Sequence, residues 1–232
     1  MPRAVGERGR ARRKFGQHTS APEPTACSSA QWDVVRAWAA EAAGLSLTEP
    51  QVSRLEAYVK LIRTWNLRMA LVSRADADRL VTRHIADSVF AAAHCVDGEA
   101  VVDLGSGAGF PGLPLAVLRP ASRVCLIESK AKKVSFLVEA IRVTAAPNVT
   151  VCHARIEAAA NDDMHRGRYA VAISRALADS DAYWAAAKAF LAPGGRIISM
   201  RSAVQEIRRE GGAVIEYRLP DGAHRRLVIT RV

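Results

Sequence analysis

Apolar positions recur along this chain in two rhythms, and the change between them divides it. From Gln31 the step is three and four: Trp32, Val35, Trp38, Ala39 and Ala42 form one apolar face, and Gly44 stops it. A second helix is predicted from Thr48-Glu49-Pro50, with Val52, Leu55, Val59, Ile62 and Trp65 as its core stripe. A third runs from about Asp76 to His94, carrying Leu80, His84, Ile85 and Val89 on one side. From Ala100 short β-rich runs alternate with helical ones. The pattern predicts strand 100–104, helix 111–118, strand 123–127, helix 130–143 and strand 149–153. After a loop come strand 169–173, helix 180–191, strand 195–200, a weak helix 203–210 and two terminal strands near 213–218 and 225–231. Pro193-Gly194-Gly195 reads as the turn that feeds the fifth strand. Such alternation implies an α/β fold whose mostly parallel sheet is covered on both faces. The expected organisation is a helical N-terminal cap over residues 30–96 on a doubly wound, seven-stranded sheet over 97–232. Residues 1–29 show no apolar periodicity and are expected to form a disordered basic tail.

The sharpest local signal is VVDLGSGAGFPG, Val101 to Gly112. A buried-strand run ends in Asp103, and Gly105, Gly107, Gly109 and Gly112 then punctuate a tight loop. Glycine there lets the backbone turn sharply and approach a ligand with no Cβ in the way. Pro111 suits the first turn of the helix that follows. The next strand ends in Glu128, the usual place for a carboxylate that grips ribose hydroxyls. This succession predicts a nucleoside-cofactor site. Gly107–Gly112 also matches the dinucleotide pattern G-x-G-x-x-G. Asp103 argues against that choice: a carboxylate beside the loop repels a pyrophosphate but favours the ammonium and sulfonium of S-adenosylmethionine. The D-L-G-S-G-A-G order resembles the first motif of a class I methyltransferase.

Charge changes the picture modestly. The chain carries a net charge of +10, of which residues 1–30 supply +4, leaving +6 on the remainder. That remainder is compatible with a phosphate-rich partner, and equally with a plain basic surface. No apolar run reaches the roughly 18 residues that would cross a membrane. Cys27, Cys95, Cys125 and Cys152 show neither a C-x-x-C pair nor histidines at zinc spacing, so no metal is expected and a reducing cytoplasm is the simplest setting.

In an open α/β sheet, ligands bind beyond the carboxyl ends of the strands. That rule gathers Asp103, Gly105, Glu128, the turn Ala154-Arg155-Ile156-Glu157 and Ser174-Arg175-Ala176 around one crevice. Arg175 ends the fourth strand, where burial costs heavily unless it meets an anion or an acceptor. Amino-directed nucleic-acid methyltransferases place N-P-P-aromatic at this turn, whereas this chain has Ser174-Arg175-Ala176-Leu177. Pyrimidine C5 methylation needs a nucleophilic cysteine, typically beside proline, and none of the four qualifies. Guanine N7 fits the absence of such groups, because it already carries an in-plane lone pair and needs no base.

With these residues laid out, the chain resembles the RsmG (GidB) family of bacterial guanine-N7 methyltransferases of small-subunit ribosomal RNA. The resemblance covers roughly residues 45–232. It rests on Trp65-Asn66, Arg83-His84-Ile85-Ala86-Asp87-Ser88, DLGSGAGFPGLPLA from Asp103, Lys132-Lys133 with Phe136-Leu137, Arg155-Ile156-Glu157, Ser174-Arg175-Ala176 and Arg225-Arg226-Leu227-Val228-Ile229. It implies a class I, Rossmann-like fold, S-adenosyl-L-methionine as cofactor, and 16S rRNA or the small subunit as partner. Asp103, Gly105, Gly107, Gly109, Phe110, Glu128, Ile156, Glu157 and Arg175 would then form the cofactor pocket, with Arg175 also the catalytic candidate. His84, Asp87 and Ser88 would line the mouth, and Lys132, Lys133, Arg201 and Arg225, with Arg83, Lys130 and Arg226, would meet phosphates. A monomer is expected. Two positions depart from the family: Ala70 stands where an asparagine is usual, and Arg201-Ser202 where Lys-Gly usually ends the fifth strand. Ala70 keeps one rival in view, a family member redirected to a small molecule, and a protein that binds the cofactor without catalysis is a second. A nicotinamide oxidoreductase would need a hydride-site acid or base that the chain does not offer.

Overall fold

The computed structural model describes residues 29–175, 180–205 and 212–232. Residues 1–28 of the expected basic tail therefore lie outside the described residues, as does most of the weak helix at 203–210, and Ser29 opens the first helix instead. Residues 203–205 of that segment form a turn, in which the Gln205 side chain accepts from the Ser202 backbone N–H at 2.9 Å.

Helix α1 spans Ser29–Ala42 and α2 spans Glu49–Asn66. Thr48 and Gln51 close a capping box at the start of α2, which satisfies backbone N–H groups that the first turn leaves open. The third expected helix is one continuous run of chain in three geometries: a 3-10 turn at Arg74–Arg79, a π-helical turn at Leu80–Ile85, and α3 at Ala86–Ala93. Then come β1 (Ala100–Leu104), α4 (Gly112–Leu118), β2 (Arg123–Glu128), α5 (Ala131–Thr144) and β3 (Val149–His153). A short helix α6 (Ile156–Ala160), read above as loop, precedes β4 (Tyr169–Arg175) and α7 (Asp181–Phe190). Strands β5 (Leu191–Ser202), β6 (Ala213–Arg218) and β7 (His224–Arg231) close the chain.

The seven strands lie in the order β3-β2-β1-β4-β5-β7-β6. All pairings are parallel except those of β7 with β5 and β6. The order reverses beside β1, which puts the switch point between β1 and β4. Successive strand residues feed opposite faces, as the two-residue period requires. Val101, Val124, Leu126, Val171 and Ile173 join one apolar cluster with α4, α5 and the cap. Val102, Cys125, Ile127, Ala172 and Ile197 join the other with α6 and α7. Because the first cluster runs without a break from Trp32 and Leu55 through Leu113 and Phe136 to Ile198, the cap helices share the core of one sheet face. Among the described residues, no helix is long and apolar enough to cross a membrane.

Candidate active site

The glycine loop leaves β1 at the switch point, and its shape is set by packing from both sides. Gly112 opens α4 so close to the sheet that a Cβ there would press on Leu126 and come within 2.7 Å of Asp103 Oδ2. Its N–H instead donates to that oxygen at 3.0 Å. Gly109, at φ +92°, faces the cap, and a Cβ there would lie 2.9 Å from Tyr58 Oη. That hydroxyl donates to the Ala108 carbonyl, so α2 pins the loop from above. The Phe110–Pro111 peptide bond is cis.

Asp103 is fully buried, and its Oδ1 makes no hydrogen bond among the described residues. Burial pushes its carboxyl up to about 7, against the Gly112 N–H, the Ser106 hydroxyl and the Arg175 charge, which favour the anion. An unpartnered acceptor beside a glycine loop fits a cationic donor, and an ammonium would relieve both costs. At the end of the adjacent strand, Glu128 accepts from Gly107 N at 2.9 Å and from Lys130 N at 2.8 Å. Each oxygen keeps a second lone pair, as a hydroxyl-binding carboxylate requires. Ile156 is half-buried and Glu157 exposed at the start of α6, just beyond β3 and next to these groups in strand order.

Arg175 ends β4 one strand from Asp103. Its Nη1 donates to His84 Nδ1 at 2.5 Å and lies 3.7 Å from Asp87 Oδ2, while its Cζ sits 5.3 Å from the Phe110 ring centre. His84 in turn stacks on Phe110, with ring centres 5.1 Å apart. Burial and the Arg175 charge push His84 down to about 3, so the imidazole is neutral. Asp87 accepts from Tyr217 Oη at 2.6 Å, and burial raises its pKa. Beside this group opens a cavity of about 300 Å³, walled by Asp76, His84, Asp87 and Arg175 with Arg201 and Arg225.

Several expected residues thus meet: Phe110, His84, Asp87 and Arg175 form one contact network, Arg201 and Arg225 share its cavity, and Asp103 lies on the neighbouring strand. Ser88 departs from expectation. It is fully buried and its hydroxyl donates to the His84 carbonyl at 2.7 Å, so it supports the helix rather than lining the mouth. Arg83 is held by Asp76 at 2.8 Å and Asp221 at 2.6 Å, clasping the cap to the β6–β7 turn. Arg226 pairs with Glu216 at 2.9 Å. Lys132 is exposed, and the Lys133 ammonium reaches over Gly107. Ala70 is exposed in the turn after α2 and lines neither this cavity nor the larger one beside α2. Sequence reasoning missed Tyr58, Asp76 and Tyr217. For Tyr58 a signal was present, since a tyrosine on an apolar helical stripe brings a buried hydroxyl that must find an acceptor.

Strand order, a glycine loop after β1 and an acid after β2 define a class I methyltransferase fold. Comparison with known proteins narrows this. The family model GidB, rRNA small subunit methyltransferase G, matches residues 51–214. The chain is 34% identical over 179 residues to the Ribosomal RNA small subunit methyltransferase G of Clostridium beijerinckii, covering 75% of each chain. It is 31% identical over 208 residues to that of Caldanaerobacter subterraneus, covering 83% of this chain and 87% of the relative. Identity to the Roseiflexus sp. (strain RS-1) relative is 41% over 148 residues, which spans 63% of this chain and 61% of that one. The chain belongs to the rRNA small subunit methyltransferase G family.

Proposed function

We propose that this chain transfers the methyl group of S-adenosylmethionine to N7 of a guanine in 16S rRNA, acting as a cytoplasmic monomer on the small ribosomal subunit or its RNA. One observation carries the reading. Arg175 ends the strand next to the one that carries the Asp103 carboxylate with its unpartnered oxygen, and it lines a cavity bearing Arg201 and Arg225 whose histidine is neutral and whose carboxylates, Asp76 and Asp87, are engaged by Arg83 and by Tyr217 with Arg175.

Asp103 would hold the ammonium of the cofactor, Glu128 its ribose hydroxyls, and Ile156 with Glu157 its adenine edge. Gly105, Gly107 and Gly109 keep the backbone close enough for those contacts. When bound, S-adenosylmethionine supplies a methyl group on a sulfonium, open to displacement by a lone pair. The cavity side chains suit a nucleophile that brings its lone pair with it. His84, at about 3, is too weak a base to strip a proton from an amine near neutral pH. Guanine N7 loses no proton on methylation, so orientation is the main demand on the protein. Arg175, braced by His84, Asp87 and Phe110, supplies a rigid edge against which the base is aligned. Arg201 and Arg225 on the cavity wall meet the RNA backbone.

The test incubates pure protein and labelled S-adenosylmethionine with small subunits lacking N7 methylation, with naked 16S RNA, or with neither. Label is expected in RNA, with borohydride–aniline cleavage at a single guanine. Label that never enters either RNA sample overturns the reading.

A further inference from the structure

His84 carries one feature that methyl transfer to N7 leaves unused. A guanidinium has no acceptor, so at 2.5 Å the Arg175 Nη1 must donate and His84 Nδ1 must accept. The imidazole is neutral, so its single proton sits on Nε2. That N–H is buried, makes no hydrogen bond among the described residues, and stands 3.9 Å from Asp76 Oδ2, beyond bonding distance. The residue is 5% exposed and lines the cavity beside Arg175. Its ring plane is held on one side by Arg175 and on the face by Phe110. A buried donor that has no partner and is held in a fixed orientation is costly unless a ligand supplies the acceptor.

Given the proposed function, on which this step rests, the acceptor can be named. The edge of guanine that carries N7 presents two acceptors, N7 and O6. N7 must stay open to the methyl group, which leaves O6. Adenine presents an amino group at the same place, and that donor would oppose the imidazole N–H. We infer that His84 is the specificity-determining residue of this site: its Nε2–H donates to O6 of the target guanine and so excludes adenine. Arg175 then has a second role, because its bond to Nδ1 holds the proton on the nitrogen that reads the base.

The experiment places guanine, inosine or 2-aminopurine at the target position of 16S RNA by splinted ligation, reconstitutes small subunits, and measures kcat/KM. Inosine keeps O6, whereas 2-aminopurine lacks it, and both keep N7. For the wild-type protein 2-aminopurine is expected to react roughly ten- to hundredfold more slowly than guanine, the effect of leaving a buried donor unpaired, while inosine stays near guanine. In His84→Phe, which keeps the stacking but has no N–H, the guanine to 2-aminopurine ratio is expected to fall to near one, whatever happens to the absolute rates. His84→Gln, whose amide can accept from Arg175 and still donate, is expected to restore part of the ratio. Calorimetry with S-adenosylmethionine verifies that each variant is folded. Equal rates on guanine and 2-aminopurine for the wild type, or a ratio unchanged in His84→Phe, overturn the inference while leaving N7 methylation in place. Absence of any methylation of the guanine subunits by wild type overturns the proposed function instead, and this inference with it.

Discussion

A single carboxylate shows how this site is poised against its own stability. Asp103 has no exposure, and its Oδ1 has no partner. In the unfolded chain it ionises near 3.8, and in the fold near about 7. Between those values the folded state binds more protons, so stability falls as pH rises through that window and levels off above it. Asp103→Asn keeps an acceptor for the Gly112 N–H and removes the charge. It is expected to raise thermal stability in the absence of cofactor, by little at pH 4 and by up to a few kcal/mol at pH 8. Calorimetry on the same variant is expected to show loss of S-adenosylmethionine binding. A pH-independent difference in melting temperature would refute this account. Arg175 differs, because its partners are protein groups. Arg175→Lys keeps a charge near Asp87 but cannot span His84 and Asp87 with a planar fork. Its kcat is expected to fall by about a hundredfold or more while cofactor affinity changes only severalfold, since what it loses is alignment. Equal losses in both would place Arg175 in cofactor binding alone. The Asp103 side was legible in the sequence because strand, glycines and acid are neighbours in the chain. The His84–Arg175 bond joins positions 91 residues apart, which no local pattern reveals.

At the scale of elements, the three-and-four rhythm located the cap helices, and the reason it failed over 74–93 is physical. The apolar stripe of Leu80, His84, Ile85 and Val89 persists there, but backbone geometry passes from 3-10 through π to α. Such turns are often found at functional sites, and here one carries His84. Periodicity detects the buried face and is blind to such changes in pitch. Helix α6 escaped because Ile156–Ala160 is too short to show a period. Strand β5 starts earlier than the Pro193-Gly194-Gly195 signal suggested. Leu191 already pairs with Tyr169, and the register shifts before Arg196 meets Val171, so the turn residues lie within a bulged strand. The contact between α2 and the glycine loop yields its own prediction. Tyr58→Phe removes the hydroxyl that bonds the Ala108 carbonyl and leaves that buried acceptor without this donor. Stability is expected to fall by about 1–3 kcal/mol. Cofactor affinity is expected to weaken as well, because the loop then keeps ring contacts with the cap through Phe110 but loses the hydrogen bond that fixes its backbone at Ala108. Chemical denaturation and calorimetry read the two effects separately, and loss of stability with unchanged affinity would show that α2 does not shape the loop.

Over the whole molecule, charge and shape converge on one end of the sheet. The residues outside the first thirty carry +6, and the cavity wall has Arg201 and Arg225 beside the crevice. Next to the glycine loop, Lys130 and Lys132 are exposed at the start of α5 and Lys133 is half-exposed. These side chains are not equivalent. Arg83 and Arg226 hold carboxylates of the same chain, so their charge is already balanced within the fold. The lysines at the start of α5 have no ion pair among the described residues, which makes them the better candidates for phosphates. Binding to 16S RNA is therefore expected to weaken as salt rises, because each neutralised phosphate releases counterions. Lys132→Ala with Lys133→Ala is expected to lessen the slope of log affinity against log salt by roughly 1.5–2 if both meet phosphate. Removal of residues 1–28 carries away +4 and none of the residues named at the crevice, and is expected to cost less affinity than the two lysines. Fluorescence anisotropy across a salt series measures all three proteins. A slope unchanged by the double substitution, or a larger loss on removing the tail, would move the RNA contact away from the mouth of the site.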